Sequence, residues 1–196
     1  MQGTVERNLH GLYVYVCVRF TDPWTIMVQN PMTGREFSQT LLNLCNPGPV
    51  PLTVFDSHRL PEMSLDGYVD RLLRYLCRGE ETFVLALVYV DRLLNKWPSW
   101  RLTSFNVHRV VLACLLLAVK INEDEVRSNH YYARVGGVPL AELNRLEAVL
   151  CTALDWRLYV SRDVYTQYLR RVRERRSISS LHRTTVVSTQ ACVLRV

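Results

Sequence analysis

The run VVLACLLLAVKINEDE, residues 110–125, passes from unbroken apolar residues to a lysine at 120 and three acids at Glu123, Asp124 and Glu125. Such an ending has two chemical uses. A core helix must meet water somewhere, and charge marks the place. Alternatively, an ammonium and carboxylates gathered at a helix end form a docking site for a partner. Other reactive groups are more scattered. The histidines at 10, 58, 108, 130 and 182 have no mutual spacing that gathers a metal, and His108 and His130 read as helix-end or loop residues. Asp155 and Asp163 are a conceivable hydrolase pair, but helix-terminal acids are far commoner than catalytic dyads. Phosphate-loop, zinc-protease, nucleophile-elbow and kinase signatures are all absent. No catalytic residue, metal ligand or cofactor is therefore expected, and the chain does not read as an enzyme.

At 196 residues and 48% hydrophobic, the chain has room for one ordinary domain with some periphery. Its longest apolar run, Val110 to Val119, is about half the roughly 20 residues that span a bilayer. Leu12 to Val18 lacks a basic leader, and Thr21 to Trp24 offers no small-residue cleavage site. A soluble protein of the cytoplasm or nucleus is expected, with no membrane partner. The cysteines at 17, 45, 77, 114, 151 and 192 include no C-x-x-C pair. Cys77, Cys114 and Cys151 fall inside apolar helical patterns, so reduced thiols packed as small hydrophobes are expected. The net charge of +6 concentrates late, at Arg162, Arg170, Arg171, Arg173, Arg175 and Arg176. That cluster reads as a solvated basic end, and nucleic acid is not the expected partner.

The elements that must position these groups are helical. Residues 1–54 differ from the rest, with LYVYVCVRF followed by the loop signals NPMTG and NPGPVP, and only Arg35 to Leu44 suggests a short helix there. From Ser64, a candidate N-cap, Leu65, Tyr68, Val69, Leu72, Leu73 and Leu76 form the stripe of a first helix. A second runs from about Glu81 to Lys96, before Pro98. A third opens after Asn106 as cap and is apolar on nearly every side, as a helix surrounded by others must be. Gly136 and Gly137 break the chain before a fourth, striped by Leu143, Leu146, Leu150 and Leu154. A fifth follows Ser161, with Val164, Tyr165, Tyr168, Leu169 and Val172 inward. The expected fold is all-α, five helices around a buried third, with N- and C-terminal extensions.

Several motifs in this frame occur together: YVDRL in the second helix, NVHR opening the third, VK-I-x-E-D closing it, YARVGG after it, and NRLE in the fourth. In that order and spacing they resemble the cyclin box, and most closely the single-box P/U-type cyclins, whose best-known members act in phosphate signalling. The resemblance runs from about Phe55 to Arg173. It implies residues 1–54 as an unassigned extension, 55–176 as the cyclin box and 177–196 as a tail. No second box is expected after residue 176.

What the resemblance implies is a regulatory subunit, without catalysis of its own, that binds and activates a cyclin-dependent protein kinase. In such pairs the third and fifth cyclin helices pack on the kinase αC helix, whose glutamate must meet the β3 lysine for phosphoryl transfer. Carried over, Lys120 and Glu147 are the clamp on the kinase backbone, Ile121, Cys151 and Leu158 line the same groove, and Glu123 presents an acid to the kinase. Lys120 and Glu147 are expected at the surface of the free subunit. Asp91 and Arg92 read as structural, an ion pair or cap. The first helix, LDGYVDRLLRYLC, lacks the MRAIL-type start with which cell-cycle cyclins dock substrates. The alternative is a cyclin-like helical domain that binds nucleic acid or other proteins in transcription. The acids from Glu123 to Glu125 weigh against it, because they would repel phosphates.

Overall fold

A computed structural model describes residues 33–46, 52–76 and 79–174. The segment LYVYVCVRF, Cys17, Cys77, Cys192, His10, His182, Arg175, Arg176 and the tail lie outside them. Among the described residues there are seven helices and no strand: α1 Gly34–Leu44, α2 Leu65–Leu76, α3 Glu80–Lys96, α4 Val107–Asn122, α5 Asn129–Gly136, α6 Leu140–Ala153, and α7 over 162–174. The chain forms two compact units, one ending at Tyr159 and the other beginning at Val160.

The first unit is built around α4. Every residue from Val110 to Val119 is fully buried, as an all-apolar helix requires. Helices α2, α3 and α6 pack against it. The expected stripes face inward: Val69 and Leu72 on α2 are fully buried, as are Leu143 and Leu150 on α6. Helix α3 is enclosed along Phe83 to Val90. The first unit is all-α around a buried third helix counted from α2, as expected; of the five helices expected, four are α2, α3, α4 and α6, and the fifth, after Ser161, is α7 of the second unit.

Helix α1 forms where a short helix was expected, and a capping box fixes its start. The Thr33 hydroxyl accepts from the Glu36 N–H, and the Glu36 carboxylate accepts from the Thr33 N–H at 2.9 Å. The helix packs on α2, burying Phe37 and Leu41 completely. Phe37 meets the Phe83 ring at 5.5 Å, and Ser38 donates to Asp66.

Of two expected caps, one departs from simple capping. Ser64 caps α2 as expected, its hydroxyl accepting from the Gly67 N–H at 3.2 Å. Asn106 does occupy the N-cap of α4, but its side chain turns away from the helix. Its Oδ1 accepts from the Thr103 N–H, while Nδ2 donates to Asp56 Oδ1 and the Arg101 carbonyl. Asn106 is fully buried, so the loop's own polar groups claim it. Beside it, Phe55 packs against Trp97 and Trp100, with ring centroids at 6.3 and 6.0 Å, and the two indoles meet edge to face at 5.8 Å.

Helix α5 was not expected: the Gly-Gly break was visible, but the short helix before it was not. Ser128 caps its start, and Gly137 ends it with φ of 68°. Val138 N–H returns to the Ala133 carbonyl at 3.1 Å, closing the turn that a left-handed residue permits. Polar side chains then tie α5 to α2. Tyr68 donates to the Gly136 carbonyl at 2.9 Å, Arg71 to the Arg134 carbonyl at 3.1 Å, and Tyr131 to the Tyr75 carbonyl at 3.0 Å.

In the second unit, Ser161 caps α7 through the Val164 N–H, and Tyr165 is buried while Val164, Tyr168, Leu169 and Val172 are half-buried.

Candidate functional site

The charged end of α4 meets the middle of α6. Lys120 Nζ lies 2.5 Å from Glu147 Oε1, joining residues 27 apart in the chain. Apolar periodicity makes this pairing possible. Leu143, Leu146 and Leu150 turn one face of α6 onto α4, which sets Glu147 at the border of that face. The side chains are only 13% and 11% exposed, so the two residues are nearly enclosed, not standing at the surface as expected. Two charges so far from water hold their places by pairing and by further hydrogen bonds.

One such bond comes from α5. Asn129, its first residue, donates Nδ2 to Glu147 Oε2 at 2.8 Å and to Asn144 Oδ1 at 2.8 Å. Asn144 and Glu147 are three residues apart on α6 and so share a face. Three helices thus converge on one carboxylate.

The remaining expected site residues are placed unequally. Ile121 follows Lys120 and is half-buried. Glu123 caps α4 by its backbone N–H, which donates to the Val119 carbonyl at 2.8 Å, and its Oε1 accepts from Thr82 of α3 at 3.4 Å. Asp124 and Glu125 are exposed beyond it. Cys151 lies one turn after Glu147 but is only 1% exposed, and Leu158 is also buried. The Leu158 carbonyl accepts from the buried Tyr89 hydroxyl at 2.7 Å. The geometry therefore brings Lys120 and Glu147 together, keeps Ile121 and Glu123 beside them through the chain, and encloses Cys151 and Leu158 in the fold.

Sequence reading missed Asn129 and Thr82. The signal for Asn129 was present: Ser128 followed by NHYYARVGG is a cap, a short helix and a glycine stop, which would have put Asn129 in a first turn. Nothing in the sequence pointed Thr82 at Glu123.

Arg92 of YVDRL acts on backbone, donating to the Arg157 carbonyl at 2.6 Å and the Tyr159 carbonyl at 3.1 Å. Asp91 accepts from Asn95 on its own helix. Nearby, Lys96 pairs with Asp155 at 2.6 Å, and this ammonium holds the Asp155 carboxyl below its ordinary pKa. Arg109 of NVHR pairs with Glu142 in the first turn of α6 at 2.6 Å. His108 presents Nε2 to the Met63 carbonyl at 3.0 Å, and its ring lies tilted against that of Tyr68 with centroids 5.0 Å apart. Burial lowers its pKa, the Met63 bond opposes that, and Arg109 adds to it.

No group of three or more His, Cys, Asp or Glu among the described residues could hold a metal ion. No described helix is long and apolar enough to cross a membrane. What the site can offer is an ammonium donor and a carboxylate acceptor in one place, rimmed by acids, which suits main-chain groups of a partner.

Comparison with known proteins places these features in a family. A family model described as cyclin matches residues 24–158, more than half of the chain. Cyclin-U3-1 of Arabidopsis thaliana is 42% identical over 117 residues, covering 60% of this chain and 52% of the relative. Cyclin-U1-1 of the same plant is 40% identical over 117 residues, 60% of this chain and 56% of the relative. Cyclin-P3-1 of Oryza sativa subsp. japonica is 39% identical over 116 residues, 59% of this chain and 49% of the relative. The chain spans about half the length of the curated relatives it matches.

Proposed function

The chain belongs to the cyclin family, and on that premise we propose that it is a regulatory subunit that binds a cyclin-dependent protein kinase and activates it by positioning the αC helix. Its relatives by sequence are P- and U-type cyclins. The observation that carries the reading is the Lys120–Glu147 pair at 2.5 Å, standing where the family resemblance sets the clamp on the kinase backbone. The helix count supports it as well. With α5 included, α6 is the fifth helix from α2, so the third and fifth helices are α4 and α6, which carry Lys120 and Glu147.

Activation in this reading is a population shift. The kinase αC helix has an active and an inactive arrangement, and a subunit that contacts the active one more favourably moves the equilibrium toward it. The lysine offers donors and the glutamate an acceptor to peptide groups near αC that would otherwise lose water unpaired. Ile121 and the acids at Glu123 to Glu125 extend the contact around the pair. Cys151 and Leu158 act from inside the fold, shaping the helix and the loop beneath the contact.

The test is reconstitution. Affinity capture with this chain should recover a kinase of the cyclin-dependent group, and the purified pair should phosphorylate a substrate that neither subunit phosphorylates alone. A purified pair without activity would leave a scaffold and sink the activating role.

A further inference from the structure

We propose that Asn129 is the positioning residue that holds the Glu147 carboxylate in the orientation Lys120 requires, so that α5 sets the geometry of the site without being its contact surface; as a statement about kinase binding, this rests on the function proposed above. A carboxylate on a helix turns about its last torsion with a broad, soft profile. Here both oxygens are held: Oε1 by Lys120 of α4 and Oε2 by Asn129 of α5. The Asn129 amide nitrogen also donates to Asn144 Oδ1, at the same 2.8 Å.

The chemistry calls for an amide. Its planar NH2 carries two N–H bonds, one for each acceptor on α6, and only Asn or Gln supplies two such donors on an uncharged group. An aspartate at 129 would present oxygen to two oxygens and add a like charge beside Glu147. An alanine would remove the bond to Glu147 Oε2.

Two structural features keep Asn129 in place. Ser128 caps α5, its hydroxyl accepting from the Tyr131 N–H, and Tyr132, buried in the same helix, accepts from the Arg127 N–H at 2.9 Å. The start of α5 is thereby secured on both sides of Asn129.

The sequence contains only two lysines, Lys96 and Lys120, and both are ion-paired. Their side-chain ammonium groups can therefore be followed individually by nitrogen-15 NMR of the full chain. In Asn129→Asp and Asn129→Ala the Lys120 ammonium signal should shift or be lost to exchange, while the Lys96 signal stays. An unchanged Lys120 signal in both variants overturns the proposal, whatever the kinase does.

A second arm measures affinity for the purified cyclin-dependent kinase. Asn129→Asp should weaken it roughly tenfold or more, the scale of one hydrogen bond to a charged group. The loss should vanish in a Lys120→Met, Glu147→Leu background, which exchanges the buried pair for apolar residues and lacks the carboxylate through which the effect passes. An equal loss in both backgrounds overturns the positioning role in favour of a general effect on α5. Wild-type chain that binds no such kinase overturns the function proposed above, and the ammonium spectra still decide whether Asn129 positions Glu147.

Discussion

Gly136 lies directly against Leu112: a Cβ on the glycine would stand 2.5 Å from Leu112 Cδ2 and 3.2 Å from its Cγ. Leu112 is fully buried, so it or the helix must shift to admit the methyl group. Gly136→Ala should therefore cost about 1–3 kcal/mol by overpacking. Its neighbour Gly137 faces open space but has φ of 68°, so Gly137→Ala should cost about 1–2 kcal/mol through the left-handed backbone. Denaturant unfolding separates the causes: adding Leu112→Val should recover stability in the Gly136→Ala background and not in the Gly137→Ala background.

Helix α1 should contribute to the stability of the box. Phe37 and Leu41 are fully buried, and truncating such residues to alanine costs about 2–5 kcal/mol each. A fragment of residues 33–174 should melt well above one of residues 55–174. Equal melting temperatures would mean that the box from residue 55 holds its fold unaided.

His108 should make stability depend on pH. Its folded pKa lies below the ordinary value near 6.5, chiefly through burial, so the unfolded chain binds the proton more readily. The stabilisation is fully present above about pH 6.5 and is lost as pH falls toward the lower folded pKa. Relative to His108→Gln, the wild type should lose stability on acidification through that window. Parallel stability curves for the two proteins would contradict this.

The basic helix α7 should be a minor contributor to both candidate partners. Arg170 and Arg171 are exposed, and the Arg171 guanidinium lies 5.7 Å from the Tyr168 ring. Replacing both with glutamine should change kinase affinity by no more than about fivefold, the scale of an exposed charge. Titration with duplex DNA should show only weak binding that physiological salt abolishes. Sequence-selective binding that survives salt would favour the transcription alternative.

The long helices were legible because burial is periodic. The stripe from Leu65 to Leu76 and the unbroken Val110–Val119 run leave few other arrangements of apolar surface. Helix α5 escaped because its 8 residues give only about two turns, too few for a stripe, and its glycines read as a break. Its loss also displaced the helix count, so that α6 was taken as fourth. Asn106 was recognised as a cap by type, but its use depends on Asp56, 50 residues away, and no local pattern reports that. Lys120 and Glu147 came from the family resemblance, and neither spacing nor composition pairs them. Their burial was missed because charge at a helix end ordinarily means exposure.

Lys120 and Glu147 provide the most direct test, with one complication from their burial. Removing one partner of a buried pair costs about 3–5 kcal/mol, so single variants lose fold and function together. Replacing both with apolar residues of similar size is often neutral or stabilising. The double variant Lys120→Met, Glu147→Leu should therefore unfold within about 1 kcal/mol of the wild type, since volume-conserving exchanges are tolerated. Its affinity for the cyclin-dependent kinase should nevertheless fall by roughly thirtyfold or more, and activation with it, since a desolvated charge contact is worth about 2–5 kcal/mol when truncated. A double variant that is stable and still binds and activates the kinase at full affinity would contradict the account, leaving the charged end of α4 as a structural ion pair.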